Sequence, residues 1–144
     1  MKKAGTLLYL CSIIVMVLAG CSRTDAEPVH EVKLEQLGNG AKSFVEQIKE
    51  KNGLYLYSPA AEDQYLIVNY SSVIQGEEAQ FLNSLQAEAE DQTLTINLEE
   101  LGTMDYQDKR LEGMRIFELG NAQDYGSIQI HKNGKSAVFD SVGG

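Results

Sequence analysis

Leu85-Gln86-Ala87-Glu88-Ala89-Glu90-Asp91-Gln92-Thr93-Leu94-Thr95-Ile96-Asn97-Leu98 is the segment on which the architecture of this chain turns. Its first half lies in a run from Glu77 to Asp91 rich in Ala, Glu, Gln and Leu, residues of high intrinsic helix propensity. Its second half alternates, with Leu94, Ile96 and Leu98 on one face at the two-residue period of a strand. A two-residue turn at Asp91-Gln92 reconciles the halves. It sets Ala89 opposite Leu94, Ala87 opposite Ile96 and Leu85 opposite Leu98, so all three pairs share one side, as a hairpin with one buried face requires. The turn lacks the glycine that such loops prefer. The hairpin is the reading adopted here, and a helix over 77–91 stays open as its rival.

The flanking segments also read mainly as strands. Leu54-Tyr55-Leu56-Tyr57 stops at Ser58-Pro59, and Tyr65-Leu66-Ile67-Val68-Asn69-Tyr70 follows a loop holding Glu62 and Asp63. Both faces of these runs are apolar or aromatic, which suits central strands of a covered sheet. The four tyrosines are either a stacking platform for a sugar or peptide, or residues covering the edge of a core. Downstream, residues 102–110 read as a loop, Arg115-Ile116-Phe117-Glu118-Leu119 as a strand, and Gly120 to Gly126 as a second loop. Asn133-Gly134 is a strong hairpin signal, because both central positions of a type I′ turn need positive φ. It predicts Lys132 opposite Lys135, Ile130 opposite Ala137 and Ile128 opposite Phe139, with His131 opposite Ser136 on the other face.

Upstream, Ala41, Phe44, Val45 and Ile48 fit the i, i+3, i+4, i+7 stripe of a helix over about residues 40–51. Asn39 is the expected N-cap, Lys42 and Glu46 an i,i+4 pair, and Asn52-Gly53 the stop. One helix followed by six to eight strands predicts a mainly β domain over residues 32–144. The expected form is an antiparallel sandwich or partly closed barrel with the N-terminal helix packed on it.

The N-terminus has a different logic. Lys2 and Lys3 precede an apolar run, Leu7 to Leu18, that is shorter than the roughly 20 residues of a membrane-spanning helix. It ends in Leu18-Ala19-Gly20-Cys21, which resembles the lipobox of bacterial lipoproteins. The resemblance implies a signal peptide over 1–20, cleavage between Gly20 and Cys21, and a diacylglyceryl group on the Cys21 thiol. An acyl chain such as palmitate on the new N-terminus is implied as well. One chain holds a membrane reversibly and two hold it stably, at about 0.8 kcal/mol per buried CH₂. Residues 21–31 then read as a polar, lipidated tether containing Pro28 and His30. The expected location is the cell membrane or outer membrane, facing outside the cytoplasm, and Ser22 does not distinguish the two.

Twelve basic and 21 acidic side chains give a net charge of −9, and loss of Lys2 and Lys3 with the leader takes it to −11. Such a surface repels nucleic acid and anionic headgroups. It suits a solvated extracellular domain, with cationic partners or divalent ions as the alternative reading. With Cys11 in the leader and Cys21 lipidated, no cysteine remains for a disulfide, a nucleophile or a metal site.

From Tyr65 onward the layout is similar to the C-terminal domain of the PrcB-type protease-complex subunit family. The shared pattern is a strand, a loop, a hairpin carrying Leu94-Thr95-Ile96-Asn97-Leu98, and a closing strand pair. The Thr-Gly-Gly-Tyr-like turn of that family is replaced by Val73-Ile74-Gln75-Gly76-Glu77. The resemblance implies architecture and no site residue.

Nucleophilic catalysis needs a positioned base, and His131 is the histidine of the expected domain. Its place on the outer face of a hairpin argues against a buried triad. Zinc needs several Cys or His ligands. Glu62/Asp63, Asp105/Asp108 and Asn121/Asp124 offer oxygen ligands to calcium without EF-hand spacing, and solvated loop acids are the favoured reading. Gly38-Asn39-Gly40 lacks the Walker lysine and the longer dinucleotide fingerprint. The sequence therefore predicts no catalytic residue, metal or cofactor. It predicts a non-enzymatic accessory or binding domain tethered through Cys21, with an envelope protein or wall polymer as partner. The alternatives are a carboxylate-dependent hydrolase of wall polymer, which needs two facing acids in a cleft, and a regulator of an envelope protease.

Overall fold

Strands that are apolar on both faces need cover on each side, and that requirement sets the architecture. A computed structural model describes residues 28–144. The leader, the Gly20/Cys21 junction and the tether as far as residue 27 lie outside the described residues. The described chain forms β1 (His30–Val32), α1 (Asn39–Ile48), β2 (Gly53–Tyr57), β3 (Asp63–Asn69), β4 (Ala79–Glu90) and β5 (Thr93–Thr103). These are followed by β6 (Met114–Asn121), β7 (Ser127–Lys132), β8 (Lys135–Ala137) and β9 (Ser141–Gly143). A short 3-10 turn, Leu34–Gln36, precedes the helix.

Two sheets result, ordered β1-β6-β3-β2-β9 and β4-β5-β7-β8. Neither closes on itself, so the fold is a sandwich and not a barrel. Leu54, Leu56, Leu66, Val68, Phe117 and Leu119 of the first sheet meet Leu82, Leu94, Ile96, Leu98 and Ile130 of the second. The outer face of the first sheet, with Tyr55, Ile67 and Ile116, is covered by Leu37 and by Ala41, Phe44, Val45 and Ile48 of α1. The first sheet is thus the middle of three layers. That explains why Leu54-Tyr55-Leu56 and Leu66-Ile67-Val68 are apolar on both faces.

The segment 77–99 is a hairpin. Ala89 pairs with Leu94, Ala87 with Ile96 and Leu85 with Leu98. Asp91 (φ 46°) and Gln92 (φ 65°) both take the left-handed conformation of a type I′ turn, without glycine. Burial outweighs propensity here. Leu94 and Ile96 have no exposed surface, and burying each is worth about 1.5–3 kcal/mol, against at most about 0.7 kcal/mol per residue for helix preference.

Several boundaries differ from the expected ones. The expected tether over 21–31 does not extend to its last residues, since Val29 is buried in the inter-sheet core and His30–Val32 pairs with β6. Gly38, not Asn39, is the N-cap, and the helix ends at Ile48. Lys42 donates to the Glu35 carbonyl at 3.1 Å, while Glu46 pairs with Lys49 at 2.8 Å, so the expected Lys42–Glu46 pair does not form. The strands before the two loops are longer than read, β5 running to Thr103 and β6 to Asn121.

At the C-terminus, Lys132 pairs with Lys135, His131 with Ser136 and Ile130 with Ala137. The ladder then stops before Ile128 and Phe139, because the chain leaves the second sheet after β8 and joins the first as β9, parallel to β2. Asp140 anchors the crossing: its N–H donates to the Leu54 carbonyl at 2.7 Å and its carboxylate accepts from the Leu54 N–H at 2.8 Å. Phe44 of α1 lies against Gly143 so closely that a β-carbon there would overlap the ring.

Candidate functional site

The sheet register gives the sandwich two unlike ends. β1 runs antiparallel to β6, with His30 opposite Glu118 and Val32 opposite Ile116. The described chain therefore enters where β6 finishes and β3 begins, at the pair Asp63–Asn121. β9 carries the C-terminus to the same end, where the Ser58 N–H donates to the Gly143 carbonyl at 2.7 Å. The opposite end carries residues 70–78 and 104–113, two loops joined by the Tyr70 N–H donating to the Gly113 carbonyl at 2.8 Å.

This second end is cross-linked by hydrogen bonds and exposes several apolar side chains among its charged ones. The Tyr106 hydroxyl accepts from the Gly76 N–H and donates to the Glu77 carbonyl, both at 2.8 Å. Glu77 closes a turn onto the Ile74 carbonyl at 3.1 Å. Asp105 accepts from the Gln107 N–H at 3.0 Å, and Asp108 binds the Arg110 guanidinium through both oxygens, the shortest contact being 2.6 Å. The Arg110 guanidinium beside Asp108 lowers that carboxyl to about 2, and it stacks 4.4 Å over the Phe81 ring. On this braced frame Ile74 is 61 % exposed, Met104 60 %, Val73 44 % and Tyr106 41 %. Apolar side chains held out on ordered loops can bind a complementary surface with little further ordering cost.

Beneath these loops a small cavity of about 10 Å³ opens between the sheets, lined by Val68, Tyr70, Phe81, Leu82, Arg110 and Arg115 among others. It has room for about one water. The Tyr70 hydroxyl is buried without a partner among the described residues. Arg115 is already committed: its guanidinium binds Glu31 at 2.8 and 2.7 Å, reaches the Leu82 carbonyl at 3.4 Å and lies 5.3 Å over Phe117. The Glu31 carboxyl is lowered by its hydrogen bond to Arg115.

The residues singled out by sequence are dispersed. Gly20 and Cys21 lie outside the described residues. His131 is half-buried on the outer face of the second sheet, its Nδ1 3.1 Å from Asn97 Oδ1. Asn121 and Asp124 serve a turn, the Asn121 N–H donating to Asp124 Oδ2 at 2.9 Å and the Gln123 N–H to Asn121 Oδ1 at 3.1 Å. Glu62 and Asp63 line a cleft of about 380 Å³ at the entry end with Gly38, Ala41, Tyr65 and Asn121. Burial, assisted by Glu118, Asp63 and Glu62, raises the Tyr65 phenol above its usual value. No group of three or more potential metal ligands gathers among the described residues.

The tyrosines do not form a platform. Tyr55 is buried under α1, Tyr57 tilts against Phe44 with ring centres 5.6 Å apart, and Tyr65 packs on the same cluster. Tyr70 packs against the inter-sheet core instead.

The loop end was missed in the sequence. Its signal was apolar residues inside turn-rich stretches: Val73-Ile74 before Gly76, and Met104 and Tyr106 among acids. No helix among the described residues is long and apolar enough to cross a membrane. No protein-family model matches the chain, and no curated protein or solved structure matches it either.

Proposed function

We propose that this chain is a lipoprotein of the bacterial envelope, held to the membrane through lipid on Cys21, whose domain binds a protein partner without catalysing a reaction. The observation that carries the binding role is the pair Ile74 and Met104, 61 % and 60 % exposed on loops braced by Tyr106. They stand at the end away from where the described chain enters. The lipobox Leu18-Ala19-Gly20-Cys21 supports the anchor. A free tether from Cys21 to Val29 has a typical span of about 16 Å, less than the roughly 40 Å length of a twelve-residue strand such as β4. An anchor at Cys21 therefore keeps the entry end near the bilayer and favours presentation of the loop end outward. Glu77, Glu78 and Asp105 border the apolar residues, so the fitting partner surface is an apolar pocket with basic side chains around it.

Two measurements test this reading. Cys21→Ser should stop lipid attachment and leave the unprocessed precursor, and normal processing without lipid would remove the anchor from the proposal. Ile74→Glu and Met104→Glu should abolish co-purification of the envelope partner retained by the parent chain, with unchanged unfolding midpoints. Val138→Glu, at an 82 % exposed position elsewhere, should retain it. Equal retention by all three variants would overturn the loop end as the binding surface.

A second reading, a carboxylate-dependent hydrolase of wall polymer, draws on the cleft that holds Glu62, Asp63 and the Tyr65 phenol. It requires turnover of wall polymer that Glu62→Gln or Asp63→Asn abolishes.

A further inference from the structure

β4 is the outermost strand of the second sheet and is bonded to β5 alone. It is 12 residues long, whereas the other edge strands, β1, β8 and β9, have 3 each. The turn at Asp91-Gln92 fixes which of its backbone groups are free. The residues flanking a two-residue turn exchange both ladder bonds, so Glu90, Glu88, Gln86 and Ser84 turn their N–H and C=O groups toward β5. Leu85, Ala87 and Ala89 turn theirs outward, three donors and three acceptors. Among the described residues no other backbone group bonds to them. Nearer its start the edge is closed, by a bulge between Leu82 and Ser84 and by Arg115 donating to the Leu82 carbonyl.

Long edges are ordinarily guarded by charged side chains, lysine above all, by proline, by a bulge or by an inward-pointing charge. Residues 85–90 have no lysine, proline, bulge or inward charge, and their guard is the outward pair Glu88 and Glu90, which repels acidic strands and leaves basic ones free to approach. The inward side chains Leu85 and Ala87 pack against the core yet stay only partly buried. An added strand would complete their cover.

Charge selects the occupant. On the outer face Glu88 stands opposite Thr95 and Glu90 opposite Thr93. Neither carboxylate forms an ion pair among the described residues. A second copy would bring the same two acids on a chain of net charge −9, which disfavours self-pairing. A strand with Lys or Arg at every second position would set them beside Glu88 and Glu90, and its intervening apolar residues would lie over Leu85 and Ala87.

We propose that the open edge of β4 receives an extended segment of a partner protein, alternating basic and apolar, bound through the backbones of Leu85, Ala87 and Ala89 as a fifth strand of the second sheet. The inference rests on the reading of the domain as a binding module, but on neither the lipid anchor nor the loop end.

The probe is a capped peptide of alternating Lys and Val, compared with its Glu/Val counterpart and with a Lys/Val peptide N-methylated at alternate residues. With the full chain and no peptide, the amides of Leu85, Ala87 and Ala89 should exchange with solvent faster than those of Gln86 and Glu88. The Lys/Val peptide should slow them by about tenfold or more, and neither comparison peptide should do so. Ala87→Pro removes the central free donor without touching a ladder bond and should weaken Lys/Val binding by about tenfold or more. Should that variant unfold, Glu88→Lys with Glu90→Lys keeps the question open to test, because it should shift preference to the Glu/Val peptide. Three results would overturn the proposal: binding that survives both sets of substitutions, protection that appears elsewhere, or slow exchange at the three amides before any peptide is added. Slow exchange of that kind would mean the edge is already occupied, by this chain or a second copy. Peptide failure with the Ile74 and Met104 variants still losing their partner would sink the edge alone.

Discussion

Asn69, the last residue of β3, donates its side-chain amide to the carbonyl of Ile48, the last residue of α1, at 2.9 Å. The same nitrogen lies 2.9 Å from the Lys51 carbonyl and 3.2 Å from that of Lys49. A helix leaves its final carbonyls without intrahelical partners, and here a side chain with no exposed surface supplies them from the sheet beneath. Its own oxygen accepts from the Ser71 N–H at 3.0 Å. Asn69→Leu should lower stability by about 1–3 kcal/mol, since three carbonyls lose this shared donor together, the Ile48 carbonyl keeping the Lys51 N–H at 2.9 Å. Denaturant unfolding reads the cost, and a loss under about 1 kcal/mol would show that water replaces the amide.

The turn between β4 and β5 is the place to gain stability. Gln92 holds φ at 65° with a β-carbon that opposes it. Gln92→Gly should stabilise the domain by about 0.5–1 kcal/mol, the relief of strain being partly offset by the greater freedom of glycine in the unfolded chain. A rise in the urea midpoint with unchanged slope is the expected readout.

Acid should reach the loop end late. Arg110 holds Asp108 at about 2 in the fold, below the ordinary value of 3.8. Because the folded value is the depressed one, the stabilising contribution of the pair is fully present above pH 3.8 and is lost as pH falls through about 2. An NMR titration of the Asp108 carboxyl should show that midpoint. Arg110→Gln should move it back toward 3.8.

Adjacent residues on β7 should behave oppositely. Ile130 is 3 % exposed in the inter-sheet core, and Ile130→Ala should cost about 2–5 kcal/mol. His131, on the other face, has its side-chain hydrogen-bond contact with Asn97, and His131→Ala should stay within about 0.5 kcal/mol. Comparable losses in the two unfolding curves would place the imidazole in the interior.

The contrast between these neighbours was legible in the sequence because a strand writes its burial at period two. The same code gave the β4–β5 register, and period 3.6 gave the buried stripe of α1. Features made by distant pairing were not legible. β5–β7 and β2–β9 are parallel, so no tight turn announces them, and Ser141-Val142-Gly143 is too short to show alternation. Val29 to Glu31 resembled tether because Pro28, His30 and Glu31 are polar punctuation, and of the three only Val29 is fully buried. Asn69 read as one more residue of an apolar run, and its role depends on a helix ending 21 positions earlier. The loop end fared likewise: Ile74 and Met104 were visible as apolar residues, but the Tyr106–Glu77 bond that unites their loops spans 29 positions.

The passage of the last strand pair from one sheet to the other has a consequence for the order of events in synthesis. A ribosome releases the N-terminal side of a chain first, and the segment Lys135–Gly143 that straps both layers follows every other described strand. Until it arrives, β2 lacks its parallel neighbour and β7 lacks the returning arm of its hairpin. Such distant contacts form slowly because the intervening chain must first be gathered. The described domain therefore closes both of its sheets only after Lys135–Gly143 has left the ribosome.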